Sequence, residues 1–422
     1  MKKILLIYLC IQVGTFGITQ AYADDPELFK SLSVTALSSA DVTQNKFVDQ
    51  IKQKPTTESV NLVTLDVNAL SGNTTRMSLP NAKVLYFNKS ATDVRSPTDL
   101  TWIGTATNDP SKATLVVHDG NITGTIRDAS GLYRIEPVGN GVHAVIKVNE
   151  SRFPPDHPPS FKTIEKSSQA LPSSLLDTKT DACPGIDVLV AYTPAARIAV
   201  FDIASTIQLA VAEANQSYVN SGINIKLNLV DTMEVAYTEV GISYDTILAD
   251  FTANTAVKNR RDSSGADMAA MIINQADYCG MADAIMADAT NAYAVVHYDC
   301  ATGYYSFAHE LGHLQGARHD PANDPTSKPF AYGHGFQHTA SPSWRTIMAY
   351  NCAGNCSRIQ YWSNPNVTYN TFPMGTADLN DNARVLNGTA CTVAGFKSRP
   401  TVTPVSNLTI QILNDDDNRK RP

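Results

Sequence analysis

Short runs in which apolar and polar residues alternate dominate the first third of the chain. Val60–Val67, Ala113–His118 and Val142–Val148 are strand-length, and polar turns such as Ser71-Gly72-Asn73 and Asp119-Gly120-Asn121 separate such runs. Period-two alternation bounded by turn residues predicts a β-rich domain over residues 24–150. Over residues 151–182 the pattern is lost. Pro154-Pro155, Pro158-Pro159 and a Ser/Lys/Thr-rich stretch predict an exposed linker, the kind of segment where proteolytic activation concentrates. After Cys183 the periods mix. Ile186–Tyr192 reads as an apolar strand. Ile207, Val211, Ala214 and Tyr218 recur at helical spacing over residues 204–220, with Gly222 as the stop. Ile223, Ile225, Leu227 and Leu229 then alternate with polar residues as in a half-buried strand. Met268–Ile273 and Ala292–His297 add further β-like runs, so residues 183–400 read as an α/β domain. Residues 401–422 form a polar tail, and no internal repeat is visible.

The start of the chain bears on its destination. Met1-Lys2-Lys3, an apolar run to about Ile18, and Ala21-Tyr22-Ala23 have the form of a signal peptide over residues 1–23. The apolar run is interrupted and shorter than the roughly 20 residues of a membrane span, so secretion without a membrane anchor is expected. Of seven cysteines only Cys10 lies in that leader. Cys183, Cys279, Cys300, Cys352, Cys356 and Cys391 all follow the linker, an even set that predicts disulfides in an oxidising compartment. The local pairs Cys352–Cys356 and Cys279–Cys300 would leave Cys183–Cys391 to join the ends of the domain. Charge is uneven as well. Residues 183–400 carry 12 basic against 19 acidic residues, matching the net −7 of the whole chain. That balance, without a basic patch, argues against a nucleic-acid partner.

One segment carries chemistry. In Phe307–Asp320, His309 and His313 are four apart and share a helix face, where two imidazoles can grip one Zn²⁺. Gly316 permits the helix to end in a sharp turn, which returns His319 as a third ligand. Three nitrogens leave a position open for water, the pattern of a catalytic rather than a structural zinc site. Glu310 is placed to take a proton from that water. Thr346–Tyr350 supplies a methionine turn around Met348.

With these residues, positions 183–400 resemble the metzincin zinc endopeptidases. Asp320 directly after the third histidine is similar to the reprolysin branch, and His309–Asp320 is similar to the bacterial peptidyl-Asp metallopeptidases, which cleave on the amino side of acidic residues. The resemblance implies a metzincin-type α/β (α+β) catalytic domain with a mixed sheet and a zinc helix, preceded by a β-rich prodomain. It also implies protein or peptide substrates, one catalytic Zn²⁺, Met348 as an apolar floor, and Asp320 as a structural hydrogen-bonding residue. Tyr350, two residues after the turn methionine, resembles the tyrosine of astacins and serralysins that ligates zinc and then stabilises the transition state. Acidic specificity requires a local cation, and Arg345, Arg358 and Arg318 are the candidates. Asp415-Asp416-Asp417 lacks the glycine and glutamate of a calcium loop, so calcium has no support here. Reprolysin-type prosegments often block zinc with a cysteine, yet residues 24–182 contain none. Latency must then use another group or steric cover, with self-cleavage expected at Thr180–Asp181. The rival readings are a zinc hydrolase of non-peptide bonds and a binding module joined to a cargo domain. Nothing in the sequence bears on oligomeric state.

Overall fold

The computed structural model describes residues 25–32, 42–107, 109–157, 183 and 185–399. The leader, the tail and the expected self-cleavage site Thr180–Asp181 lie outside the described residues. The chain divides into two compact units, residues 1–149 and 150–422.

The first unit is built on a sheet of nine strands among the described residues. They are β1 (Phe29–Ser31), β2 (Thr57–Leu65), β3 (Thr74–Ser78), β4 (Val84–Ser96), β5 (Asp99–Ala106), β6 (Lys112–His118), β7 (Asn121–Asp128), β8 (Gly131–Gly139) and β9 (Val142–Val148). All neighbours pair antiparallel, in the order β1-β2-β9-β8-β7-β6-β5-β4-β3. Two tight hairpins show why the alternating runs meet in register. Asp119-Gly120 and Asn140-Gly141 take positive φ at both positions, 48° and 79°, 53° and 72°, the conformation that matches strand twist. One face buries Phe87, Trp102, Leu115 and Ile126. Against the other packs helix α1 (Val42–Gln53), through Val48 and Ile51 on Val138, Ala144 and Ile146. That helix was not legible as a separate element in the alternation pattern.

The second unit contains a five-stranded mixed sheet, ordered β11-β10-β12-β14-β13. Its strands are β10 (Ile186–Tyr192), β11 (Leu227–Glu234), β12 (Met268–Ile273), β13 (Gly280–Ala282) and β14 (Tyr293–His297). Only β13, at one edge, runs antiparallel to its neighbour. β12 is buried at every position, as expected of a parallel strand covered on both faces. Its helices are α2 (Pro194–Ala199), α3 (Ile203–Asn220), α4 (Tyr244–Ala253), α5 (Thr255–Ser264), α6 (Tyr298–Ala301), α7 (Ser306–Leu314) and α8 (Asn382–Val393). α3 and α7 cover one face through Ile207, Ala214, Tyr218, Phe307 and Leu311, and α4 and α5 cover the other through Ile247, Phe251 and Val257. The strand expected from Ile223 begins later, at Leu227. The Asn224 N–H donates to the Asn387 side chain and the Ile223 N–H to the Tyr218 carbonyl, each at 2.9 Å, so these two N–H groups are satisfied outside the ladder. The three disulfides are Cys183–Cys391, Cys279–Cys300 and Cys352–Cys356, the pairing set out from spacing.

His143 on β9 is 2% exposed, and its Nε2 accepts the Ile122 N–H at 3.0 Å. Burial holds its pKa down to about 4 from 6.5, so the folded state resists protonation that the unfolded chain accepts. Its contribution is therefore intact above the unfolded value and is lost as pH falls through the window from 6.5 to about 4. Urea unfolding of the β-rich unit should show about 2 kcal/mol less stability at pH 5 than at pH 7.5 from this group. The His143→Gln chain should lack that component, and an undiminished pH dependence in the variant would rule it out.

Candidate metal and catalytic site

Helix α7 places His309 and His313 one turn apart, both buried, with ring centroids 4.8 Å apart. The helix cannot continue through Gly316, whose φ is +104°. There the Gly316 N–H donates to the His313 carbonyl at 2.8 Å and the Ala317 N–H to Gly312 at 2.9 Å, satisfying carbonyls the helix end leaves open. The chain then pairs with another loop, Arg318 N–H to Gly333 O at 2.8 Å and Gly335 N–H to Arg318 O at 2.9 Å. This fixes His319, whose Nε2 lies 3.1 Å from that of His309 and 3.0 Å from that of His313.

The outer nitrogens explain what the inner ones are for. His309 Nδ1 lies 2.9 Å from the Ile347 carbonyl and His313 Nδ1 lies 2.9 Å from the Ala317 carbonyl. A carbonyl only accepts, so Nδ1 carries the proton and Nε2 is bare. Burial holds all three imidazoles neutral, their pKa values well below the ordinary range. The two bare Nε2 atoms converge on that of His319, a crowding that a shared cation would relieve. Two imidazole nitrogens about 2.0–2.1 Å from one zinc stand roughly 3.4 Å apart in a tetrahedron, close to the spacing here. The trio fits a zinc ion.

The methionine turn lies beneath. Met348 is fully buried, and a Cβ added to Gly312 would stand 3.2 Å from its Sδ. Asp320 Oδ1 accepts the Tyr350 N–H at 2.8 Å while Oδ2 accepts from Asn323 Nδ2 at 2.8 Å, tying the third-histidine loop to the turn. Tyr350 stacks obliquely on His319, ring centroids 4.4 Å apart, and burial raises its phenol pKa. Glu310 is buried, and that burial pushes its carboxyl pKa up against the opposing pull of a histidine, His157. Gly280, in edge strand β13, is what admits it, since a Cβ there would collide with the Glu310 carboxylate. Sequence reading gave no role to Gly280.

A fourth imidazole is also present, one to which the sequence assigned nothing. His157 lies with His309, His313 and His319 in a cluster whose candidate ligand atoms are all within 4.8 Å of one another. Its Nε2 is 3.1 Å from Glu310 Oε2 and its Nδ1 is 3.3 Å from the Tyr350 hydroxyl. The only signal in the sequence was an Asp-His pair bracketed by prolines, Pro154–Pro159.

The three candidate arginines separate. Arg358 and Arg345, both with side chains almost wholly buried, lie on either side of the Asp156 carboxylate. Both also touch Tyr304, Arg345 Nη2 donating to its hydroxyl at 2.7 Å and Arg358 Nη1 to its carbonyl at 3.1 Å. Arg318 is elsewhere, paired with Asp324 at 2.9 Å and bonded to the Lys328 carbonyl. His334 Nδ1 donates to the His319 carbonyl at 2.7 Å and His338 stacks on Trp344 at 5.0 Å, so neither joins a metal cluster among the described residues. No helix among the described residues is long and apolar enough to cross a membrane.

Residues 185–363 match the profile described as Metallo-peptidase family M12. A peptidyl-Asp metalloendopeptidase of Stenotrophomonas maltophilia is 42% identical over 76% of this chain and 78% of its own length. One from Xanthomonas campestris is 37% identical over 92% of this chain and 99% of its own. One from Pseudomonas fragi is 43% identical over 44% of this chain and all of its own.

The Gly316 geometry carries a prediction of its own. A Cβ there would meet Met286 Sδ and Phe330 Cε2 at 3.2 Å in a backbone conformation that side chains rarely adopt. Gly316→Ala should lower stability by about 1–3 kcal/mol and weaken zinc retention against a chelator. Urea unfolding and zinc competition measure both, and a variant unchanged in each would show that the turn tolerates a side chain.

Proposed function

The chain belongs to the peptidyl-Asp metalloendopeptidases of metallo-peptidase family M12, and we propose that it is an exported proenzyme whose second unit hydrolyses peptide bonds on the amino side of acidic residues. It is a metalloendopeptidase, and the metal its family implies is zinc. The observation that carries the residue assignments is the convergence of the Nε2 atoms of His309, His313 and His319 with a buried carboxylate beside them.

In this reading His309, His313 and His319 hold the zinc. When bound, the ion supplies polarisation of the scissile carbonyl and a water acidic enough to ionise near neutral pH. Glu310 takes the proton from that water and passes it to the leaving amine, a task suited to a carboxylate whose burial raises its pKa. Tyr350, kept protonated by its own burial, donates a hydrogen bond to the oxygen that gains charge. Asp320 and Met348 act structurally, through the Tyr350 backbone and the underside of α7. Acidic preference comes from a buried guanidinium, because the net charge of the chain is negative and would not draw an acidic substrate.

Glu310→Gln should reduce turnover of casein at least about 100-fold while one zinc per chain is retained. Undiminished digestion by that variant would remove Glu310 from the mechanism. Gly280→Ala should lower kcat about 10–100-fold by displacing Glu310, with zinc content unaltered. A wild-type kcat would show that the carboxylate has room. Cuts mapped by mass spectrometry in a peptide mixture should fall before Asp and Glu, and cuts scattered without regard to acidic residues would refute the specificity.

A further inference from the structure

Residues 150–157 follow the β-rich sheet in sequence yet belong to the second compact unit. Side chains fix them there at three points. The Phe153 ring stacks on Tyr304 at 4.1 Å between centroids. Asp156 Oδ2 accepts from Arg358 Nη2 at 2.7 Å and lies 3.5 Å from Arg345 Nη1. His157 stands over the three site histidines, ring centroids 4.8–5.2 Å away, with Nε2 against Glu310. The backbone follows the sheet edge, Cys279 N–H donating to Pro155 O at 2.9 Å and Gly280 N–H to Asp156 O at 3.3 Å.

The charges give this seat its meaning. Arg358 and Arg345 have side chains 0% and 2% exposed, and two buried cations are strongly unfavourable without an anion. The carboxylate in contact with both, among the described residues, is Asp156. It lies upstream of Cys183, in the part that a proenzyme discards. A mature unit would keep both guanidiniums and lose their anion, leaving a pocket that requires a carboxylate one residue away from the metal. Asp156 Oδ1 and Arg358 Nε are buried with no hydrogen-bond partner, so the present occupant uses one oxygen where a planar fork can engage two. The seat is filled but not saturated. The Pro155 carbonyl, which would be attacked if Asp156 followed the cut, accepts from Cys279 instead, and His157 fills the space beside Glu310.

We propose that Asp156 and His157 are an internal stand-in for substrate: Asp156 occupies a subsite, formed by Arg358 with Arg345, that receives the acidic side chain after the cleaved bond, and His157 closes the metal position as a fourth nitrogen ligand. This rests on the acidic-specific metalloendopeptidase reading above. Release of residues 150–157 opens both positions together.

Two measurements on the full chain from residue 24 separate the inference from that reading. The first uses the Glu310→Gln background, which keeps the chain uncut, with Co²⁺ in place of zinc. Replacing His157 by Asn should change the cobalt absorption from that of a four-nitrogen site to one with solvent as a ligand. An unchanged spectrum overturns the metal-closing role, whether or not any chain cleaves peptides. The second compares peptides that differ only in Asp or Asn after the cut. Asp156→Asn/His157→Asn, near in shape to the native pair, should cleave the Asp peptide at least about tenfold faster than wild type from the first minutes. Adding Arg358→Met should reduce the Asp-over-Asn ratio in kcat/KM at least about tenfold. A rate equal to wild type overturns the stand-in, and an unchanged ratio overturns the arginine subsite. A freed chain that cleaves well with no acidic preference refutes the functional reading instead, leaving the cobalt result to decide His157. Asp156→Ala/His157→Ala, with circular dichroism as the check on folding, repeats both measurements should the Asn pair fold poorly.

Discussion

Three buried imidazoles, with the Nε2 atoms of His309 and His313 at 3.1 and 3.0 Å from that of His319, are the constraint on which the second unit depends. Left alone, the arrangement is unfavourable, because three buried imidazole nitrogens converge on one point. The fold maintains it through backbone carbonyls. The Ile347 and Ala317 oxygens hold the outer protons of His309 and His313, and a shared cation then repays the convergence. Each surrounding feature serves that geometry. Gly316 turns the chain, the Arg318–Gly333 pairing aims His319, Asp320 joins this loop to Tyr350, and Gly312 lets Met348 and Trp362 approach the helix from beneath.

The sheet contributes an edge. β13 is short, runs antiparallel to β14, and ends the order of strands, so its outer edge can take an extended segment, and Pro155 and Asp156 hold that place through the Cys279 and Gly280 N–H groups. The same strand bears Gly280, whose missing side chain is the space Glu310 fills. The peptide-pairing edge and the position of the carboxylate are therefore set by one element. The Cys279–Cys300 disulfide anchors the residue just before it to α6. Alignment of substrate and placement of the base are mechanically linked here.

Much of this was legible in the sequence, and the remainder was not for identifiable reasons. His309, His313, Gly316 and His319 stand at fixed spacings on one helix and its exit turn, so local periodicity was sufficient to group them. Separation along the chain suggested the cysteine pairing without fixing it, since six cysteines allow 15 pairings. Strand β12 and helix α3 were clear because a buried parallel strand and an amphipathic helix have unambiguous patterns. Helix α1 was hidden by the surrounding β alternation. β11 starts late because a side chain, Asn387, satisfies the Asn224 backbone, a contact spanning 163 residues. Gly280 and His157 share that difficulty more sharply. The fit of Gly280 depends on a carboxylate 30 positions away in sequence, and His157 sits in a proline-rich stretch whose composition reads as a linker. The three arginines looked equivalent by proximity to the site, and all three are buried, but their partners distinguish Arg345 and Arg358, which meet Asp156, from Arg318, which meets Asp324.

With the proposed arginine subsite, the negative charge of the unit and a preference for acidic side chains are compatible because they act over different ranges. Exposed carboxylates on the surface are screened beyond about 8–10 Å at ordinary ionic strength. Arg358 and Arg345 are shielded from that solvent, so their field is felt almost undiminished by a group that enters the pocket and hardly at all outside it. Arg358 is further oriented by Tyr304, whose ring lies 4.3 Å from its guanidinium carbon and whose carbonyl accepts from Nη1. A lysine would lack the planar fork. Selectivity built this way does not concentrate substrate near the enzyme. It acts after encounter, by making every occupant without a carboxylate leave two buried cations unmatched, and the stronger term is the rejection of neutral side chains rather than the attraction of acidic ones.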